Sequence, residues 1–138
     1  MVRLSNDELL QTDYWIIDIL PKQVPERSDG QYFEIEKYLL SPPRIAEIKK
    51  KHLGLILKLN CYRTVSVDGK EQGNPPPFMM ADAVLERSVM FRINDALLVS
   101  EPDETYLTLY HPDDELLELV RMLTSGEGLY LWKPESNM

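Results

Sequence analysis

Two stretches in the first third of the chain alternate apolar with polar or acidic residues. In "TDYWIIDILP" (Thr12 to Pro21), Trp15, Ile17 and Ile19 share one parity while Ile16, Asp18 and Leu20 share the other. This β-branched alternation predicts a strand that Pro21 ends, with Asp18 on its less apolar face. In "QYFEIEKYL", Phe33 and Ile35 alternate with Glu34 and Glu36, which reads as a second strand hairpin-paired with the first. The loop between them carries two prolines and closes at Asp29-Gly30. Ahead of both, Ser5 stands three residues before Glu8, the capping-box spacing of a short helix over Asn6 to Gln11.

The middle segment has the longest period-two run. Leu55, Leu57, Leu59, Cys61, Val65 and Val67 fall in one parity, and Lys58, Asn60, Tyr62, Thr64 and Ser66 fall in the other. A long strand, greasy on one face and polar on the other, accounts for this pattern. The helical alternative through Ile45, Ile48, Leu55, Ile56 and Leu59 stays open. Before that run, Pro42 and Pro43 suit the first turn of a helix carrying Ile45 and Ile48, with Lys49, Lys50 and Lys51 near its C-terminus and Gly54 at its exit. After it, "DGKEQGNPPP" is a loop, and Phe78 to Arg87 reads as a helix with Met80, Val84 and Leu85 inward.

The final third is clearer. Val89, Phe91 and Ile93, a turn at Asn94-Asp95, then Leu97 and Val99 predict a hairpin. "TYLTLY" adds a strand with Leu107 and Leu109 opposite Tyr106, Thr108 and Tyr110. "HPDDELLELVRMLTSGEG" carries Pro112 and three acids in its first turn, a stripe at Leu116, Leu119, Val120 and Leu123, and Gly126 as a stop. His111 is a candidate N-cap for that helix. "LYLWKP" closes as a strand, an ending that allows a parallel crossover. The expected fold is α+β: a mostly antiparallel sheet of about six strands with three or four helices packed on one face, in one compact domain over residues 1–138.

Composition narrows the function more than it names one. The 138 residues are 43% hydrophobic and carry a formal charge of −8, a balance that repels nucleic-acid phosphates. Seven acids and no Lys or Arg lie between Glu101 and Glu118, while Arg44, Lys49, Lys50, Lys51 and Lys58 surround only Glu47. This asymmetry permits homo-oligomers, although two solvated faces explain it as well. The single cysteine allows no intrachain disulfide, the first residues show no secretory signal, and no segment reaches membrane-span length; a cytoplasmic protein is expected.

Most catalytic chemistry lacks its residues. His52, His111 and Cys61 each stand alone, which argues against zinc, and Asp113-Asp114 does not match a calcium loop. There is no P-loop, no dinucleotide fingerprint and no nucleophile elbow. Cys61 reads as core. No metal and no cofactor is expected. Paired carboxylates remain: Asp18, Glu34 and Glu36 would share one face if the first two strands pair, raising one pKa for general acid work. The more frequent outcome for such residues is to face water, so Asp18 is expected to face solvent or a polar groove. A candidate binding constellation is "KLNCYR", with Lys58, Asn60 and Tyr62 on one strand face, Arg63 beside them and Asp18 nearby, lining a cleft for a peptide or small anion; an ordinary solvated face is the plainer reading. Tyr106, Tyr110, Tyr130 and Trp132 are expected either to form an aromatic patch for a protein partner or to pack under the helices.

The pieces "DYWIIDILPKQVP", "GQYFEIEKY", "LILKLNCYR" and "EGLYLWKP" together resemble a group of small uncharacterised proteins from clostridial and related bacteria, across nearly the whole chain. The resemblance implies a cytoplasmic bacterial setting and carries no activity, cofactor or site. The leading expectation is therefore a non-enzymatic binding or protein-interaction domain for an unknown protein or small ligand. The alternatives are a small carboxylate-dependent hydrolase or transferase, and an acidic inhibitor of the immunity type.

Overall fold

A computed structural model describes residues 4–25, 30–68 and 74–134. The chain opens with α1 (Asn6–Leu9), whose capping box is formed: the Glu8 N–H donates to Ser5 Oγ at 3.1 Å and the Ser5 N–H donates to Glu8 Oε1 at 3.0 Å. There follow β1 (Tyr14–Asp18), α2 (Gln31–Leu40), α3 (Arg44–Tyr62), β2 (Ser66–Val67), α4 (Pro77–Glu86), β3 (Val89–Ile93), β4 (Ala96–Ser100), β5 (Leu107–Tyr110), α5 (Asp114–Gly126) and β6 (Tyr130–Trp132). The six strands form one sheet in the order β2-β3-β4-β5-β1-β6, every neighbouring pair antiparallel. The fold is thus α+β with an antiparallel sheet. β1 runs antiparallel to both β5 and β6, so those two strands are parallel to each other and the β5-α5-β6 connection crosses over β1.

The pairing register sorts the strand residues into two faces. Ile17, Leu107, Ser100 and Val89 lie in one cross-strand row, and Trp15, Leu109, Leu98, Phe91 and Val67 in the next. These rows meet α3, α4 and α5 through Leu55, Ile56, Leu59, Met80, Val84, Leu116 and Val120, which with the strand residues form the hydrophobic core. Leu85, expected inward, is 40% exposed.

Two segments expected as strands are helices. Residues 55–62 belong to α3, whose buried positions Ile48, Lys49, His52, Leu55, Ile56 and Leu59 follow the three- and four-residue spacing of a helical stripe. The period-two run is a coincidence of Leu and Ile filling the stripe and its margins: Leu57 is only half-buried and Cys61, expected in the core, is exposed. Leu and Lys are good helix formers, so local propensity sides with the helix. Gly54 does not end α3. A Cβ there would lie 2.7 Å from both carboxylate oxygens of Glu127, so the glycine lets the segment after α5 approach the helix. The 31–39 stretch is α2, in which no residue is fully buried; Tyr32 and Glu36, four apart, are joined by a hydrogen bond of 3.1 Å from the phenol to the carboxylate. The turn expected at Asp29-Gly30 lies partly outside the described residues; Gly30, at φ 78°, is the N-cap of α2. The N-cap of α5 is Asp113 rather than His111: its Oδ1 accepts the Leu116 N–H at 2.8 Å.

Not every helix lies on the core face. Arg92 has the opposite parity to Phe91 and Ile93, yet it is 6% exposed because α1 covers it. Its guanidinium donates to Asn6 Oδ1 at 3.0 Å, to the Asn94 carbonyl at 2.6 Å and to the Leu4 carbonyl. This clamp places α1 over the β3-β4 half of the outer face. The β5-β1-β6 half of that face is where the groove lies.

Candidate functional site

The groove follows from the alternation that built the sheet. Since the core takes Trp15, Ile17, Leu107 and Leu109, the opposite parity of the same strands must point outward. Cross-strand pairing sets Tyr14 beside Tyr110, Ile16 between Thr108 and Trp132, and Asp18 beside Tyr130. One step further along the β1-β5 register, Asp18 comes opposite Tyr106. Tyr32 and Phe33 of α2 form a wall, with Gln23, Val24 and Pro25 of the loop after β1. The volume of this open groove is about 670 Å³, in the range of small-molecule sites.

Six aromatic rings border this space: Tyr14, Tyr32, Phe33, Tyr106, Tyr110 and Trp132. The Tyr14 and Tyr110 rings are tilted at 45° with centroids 5.5 Å apart, and Tyr32 and Phe33 meet edge-on at 5.9 Å. The Trp132 indole N–H donates to the Leu20 carbonyl at 3.0 Å, which fixes the ring against the chain leaving β1. Among the described lining residues there is no Lys, Arg or His.

Asp18 sits at the floor, 6% exposed, its Oδ1 accepting the Ile19 N–H at 2.7 Å. Burial raises its carboxyl from the ordinary 3.8 to about 6; the Ile19 and Leu20 amides oppose the rise, and the charge of Glu36 adds to it. The neighbours respond to the same acidic setting. Burial, then the bond to Glu36 and the nearby acids, pushes Tyr32 up to about 12. Tyr106 is raised by burial, then by Glu104, Glu36 and Asp18, and Tyr110 by burial and Tyr14. Glu104 is held above the usual carboxylate range by burial, then by Asp103, Glu36 and Glu101, with Lys49 opposing. The tyrosine hydroxyls therefore stay protonated donors at neutral pH.

Of the constellation Asp18, Lys58, Asn60, Tyr62 and Arg63 expected from sequence, Asp18 lines this groove and the other four do not. Lys58 lies on α3 and pairs with Glu127 at 2.6 Å. Asn60 accepts from Asn74 Nδ2 at 2.6 Å and so ties the end of α3 to the loop before α4. Tyr62 is 66% exposed at the last turn of α3. Arg63 is the C-cap of α3, 3.9 Å from Glu115, beside a smaller pocket of about 290 Å³ that His111 and Asp113 also line. Because α3 packs on the core face, the strand face that was to unite Lys58, Asn60 and Tyr62 with Asp18 does not exist. The carboxylate pairing also changes: Glu36, not exposed Glu34, acts on Asp18, and it does so from a helix. Tyr106, Tyr110 and Trp132 do converge, together with Asp18, which no sequence spacing signals because the four come from three strands.

A second polar group lies on the core side. Lys49, 2% exposed, donates to Ser100 Oγ at 3.0 Å and to the Glu101 carbonyl at 2.8 Å. Burial lowers it to about 8, opposed by Glu101, Asp103 and Glu104. His52, fully buried, is pushed down to about 3 by burial and then by Lys49, with the Thr105 backbone opposing; neither ring nitrogen meets a partner at hydrogen-bonding geometry. Ser88 Oγ also contacts the Glu101 carboxylate. Ser100 is fully buried, so a substrate has no approach to the Lys49-Ser100 pair. Among the described residues no group of His, Cys, Asp and Glu could hold a metal ion, and no helix is long and apolar enough to cross a membrane. No protein-family model, curated protein or solved structure matches the chain.

Proposed function

We propose that the protein is a non-enzymatic binding domain whose ligand lies in the groove on the outer face of β5, β1 and β6. The observation that carries this reading is the convergence of six rings and one buried carboxylate around about 670 Å³ of open space. Aromatic surface left at the edge of solvent is costly in a monomeric domain, and rings with few rotatable bonds lose little entropy when covered. Among the described residues the groove lining holds no Ser, Cys, Lys or His, and no metal-ligand group is present, which favours binding over turnover. The acid-rich stretch Glu101 to Glu118 is partly occupied internally, through Asp113 at the α5 N-cap and Glu101 beside Ser88, which weakens the acidic-inhibitor alternative.

A fragment screen read by amide and indole chemical shifts tests the proposal. Binders should perturb Tyr14 to Asp18, Tyr106 to Tyr110 and the Trp132 indole together. Hits that map consistently to other surfaces, or a reproducible turnover abolished by Asp18→Asn, would overturn it.

A further inference from the structure

We infer that the groove selects organic cations carrying an alkylammonium head, seated between the aromatic rings with its charge directed at Asp18. The inference rests on the groove-binding reading and adds the chemical class of the ligand.

Three observations converge on that class. Six rings from β1, β6, α2 and the β5 segment border the groove, and a cation is attracted to the electron-rich face of an aromatic ring. Among the described residues that line the groove, the charge is of one sign. Asp18 lines it, Glu36 and Glu104 are close enough to act on its carboxylate and phenol groups, and the described lining holds no basic residue. Finally, Asp18 is nearly covered but has no Lys or Arg ion pair among the described residues; the groups that bond to it are backbone amides of the chain leaving β1. A buried carboxylate without a counter-charge is an unfavourable arrangement that a bound cation would relieve. An anion meets the opposite situation, a nearly covered carboxylate with no basic residue among the described lining residues.

The elements around Asp18 also predict how binding follows pH. It faces Tyr32 and Glu36 from α2, Tyr106 just before β5 and Tyr130 from β6, with Glu104 in the loop before β5. Tyr32 and Tyr106 are held above the ordinary phenol range and stay neutral through mild acid, so Asp18 governs the response. Cation affinity rises as Asp18 loses its proton.

The test uses three probes of matched shape against the whole chain: choline, its neutral carbon isostere with a tert-butyl group in place of the trimethylammonium head, and the anion pivalate. The Trp132 indole and the Thr108 amide report occupancy. Choline should bind roughly tenfold tighter than the neutral isostere, and pivalate should be the weakest. Choline affinity should fall with added salt, fall on acidification below about pH 6, and drop to the level of the isostere in Asp18→Asn. If the isostere binds in the groove as tightly as choline, or Asp18→Asn leaves choline unaffected, the cation class is wrong while groove binding stands. If none of the three probes moves the groove signals, the groove-binding reading falls with it. Should Asp18→Asn fail to fold, the salt and pH series on the unaltered protein decides the same question, since a charge-independent contact responds to neither.

Discussion

Replacing Asp18 with asparagine should stabilise the protein at neutral pH, although it removes a buried polar group's charge. The Asn side-chain oxygen can still accept the Ile19 N–H that Asp18 accepts at 2.7 Å, so the substitution removes charge and keeps the bond. In the fold the carboxyl titrates at about 6, against 3.8 when free. Between those values the folded state holds a proton that the unfolded chain has released, so stability falls as pH rises through the window and is level above it. At about 1.36 kcal/mol per pH unit the full difference is roughly 3 kcal/mol; the open groove beside the group reduces the expected effect to about 1–2 kcal/mol. Thermal unfolding of both proteins from pH 4 to 7.5 measures it. Asp18→Asn should melt roughly 3–8 °C higher at the upper end, and the two curves should meet near pH 4. A variant that is less stable at pH 7.5, with a gap independent of pH, would show that the carboxylate is well accommodated and that no missing counter-charge needs explaining.

Three other substitutions probe the frame around the groove. Gly54→Ala gains about 1 kcal/mol of helix propensity but displaces the Glu127 carboxylate that pairs with Lys58; it should be near neutral alone and stabilising by roughly 1 kcal/mol in a Glu127→Ala background, as denaturant titration of the double-mutant cycle will show. Arg92→Ala cuts the clamp between the sheet and α1, and should cost roughly 2–4 kcal/mol with faster amide exchange at Leu9; a loss confined to a few tenths would refute the clamp. Ile17→Ala empties a fully buried position at the centre of β1 and should cost about 2–5 kcal/mol in urea unfolding.

The legible parts of the fold are those with strong local signals. The Ser5/Glu8 cap, the Asn94-Asp95 hairpin and the Asp114–Gly126 helix each carry turn or capping chemistry that tertiary context has no reason to override. The Leu55 to Val67 segment misleads because Leu55 and Leu59, two steps apart in the period-two run, are also one helical turn apart, and that run masks the helical stripe beginning at Ile45 and Ile48. α2 misleads for a related reason: a helix with no fully buried residue has no stripe to show, and Phe33-Glu34-Ile35-Glu36 imitates a strand. The groove is half visible. Asp18 and the tyrosines of β5 stand out individually, but their meeting depends on β1 inserting between β5 and β6, an arrangement that no stretch of the chain encodes locally.

That insertion has a consequence for biosynthesis. β1 emerges from the ribosome before β5 and β6, the two strands that bond to it, with α2 to β4 translated in between. Until Leu107 to Trp132 have been translated, Trp15, Ile16 and Ile17 form an apolar ribbon with two unsatisfied edges, open to pairing with any other nascent strand. Stalled or truncated products ending before β5 are therefore the species from which aggregation of this protein should begin.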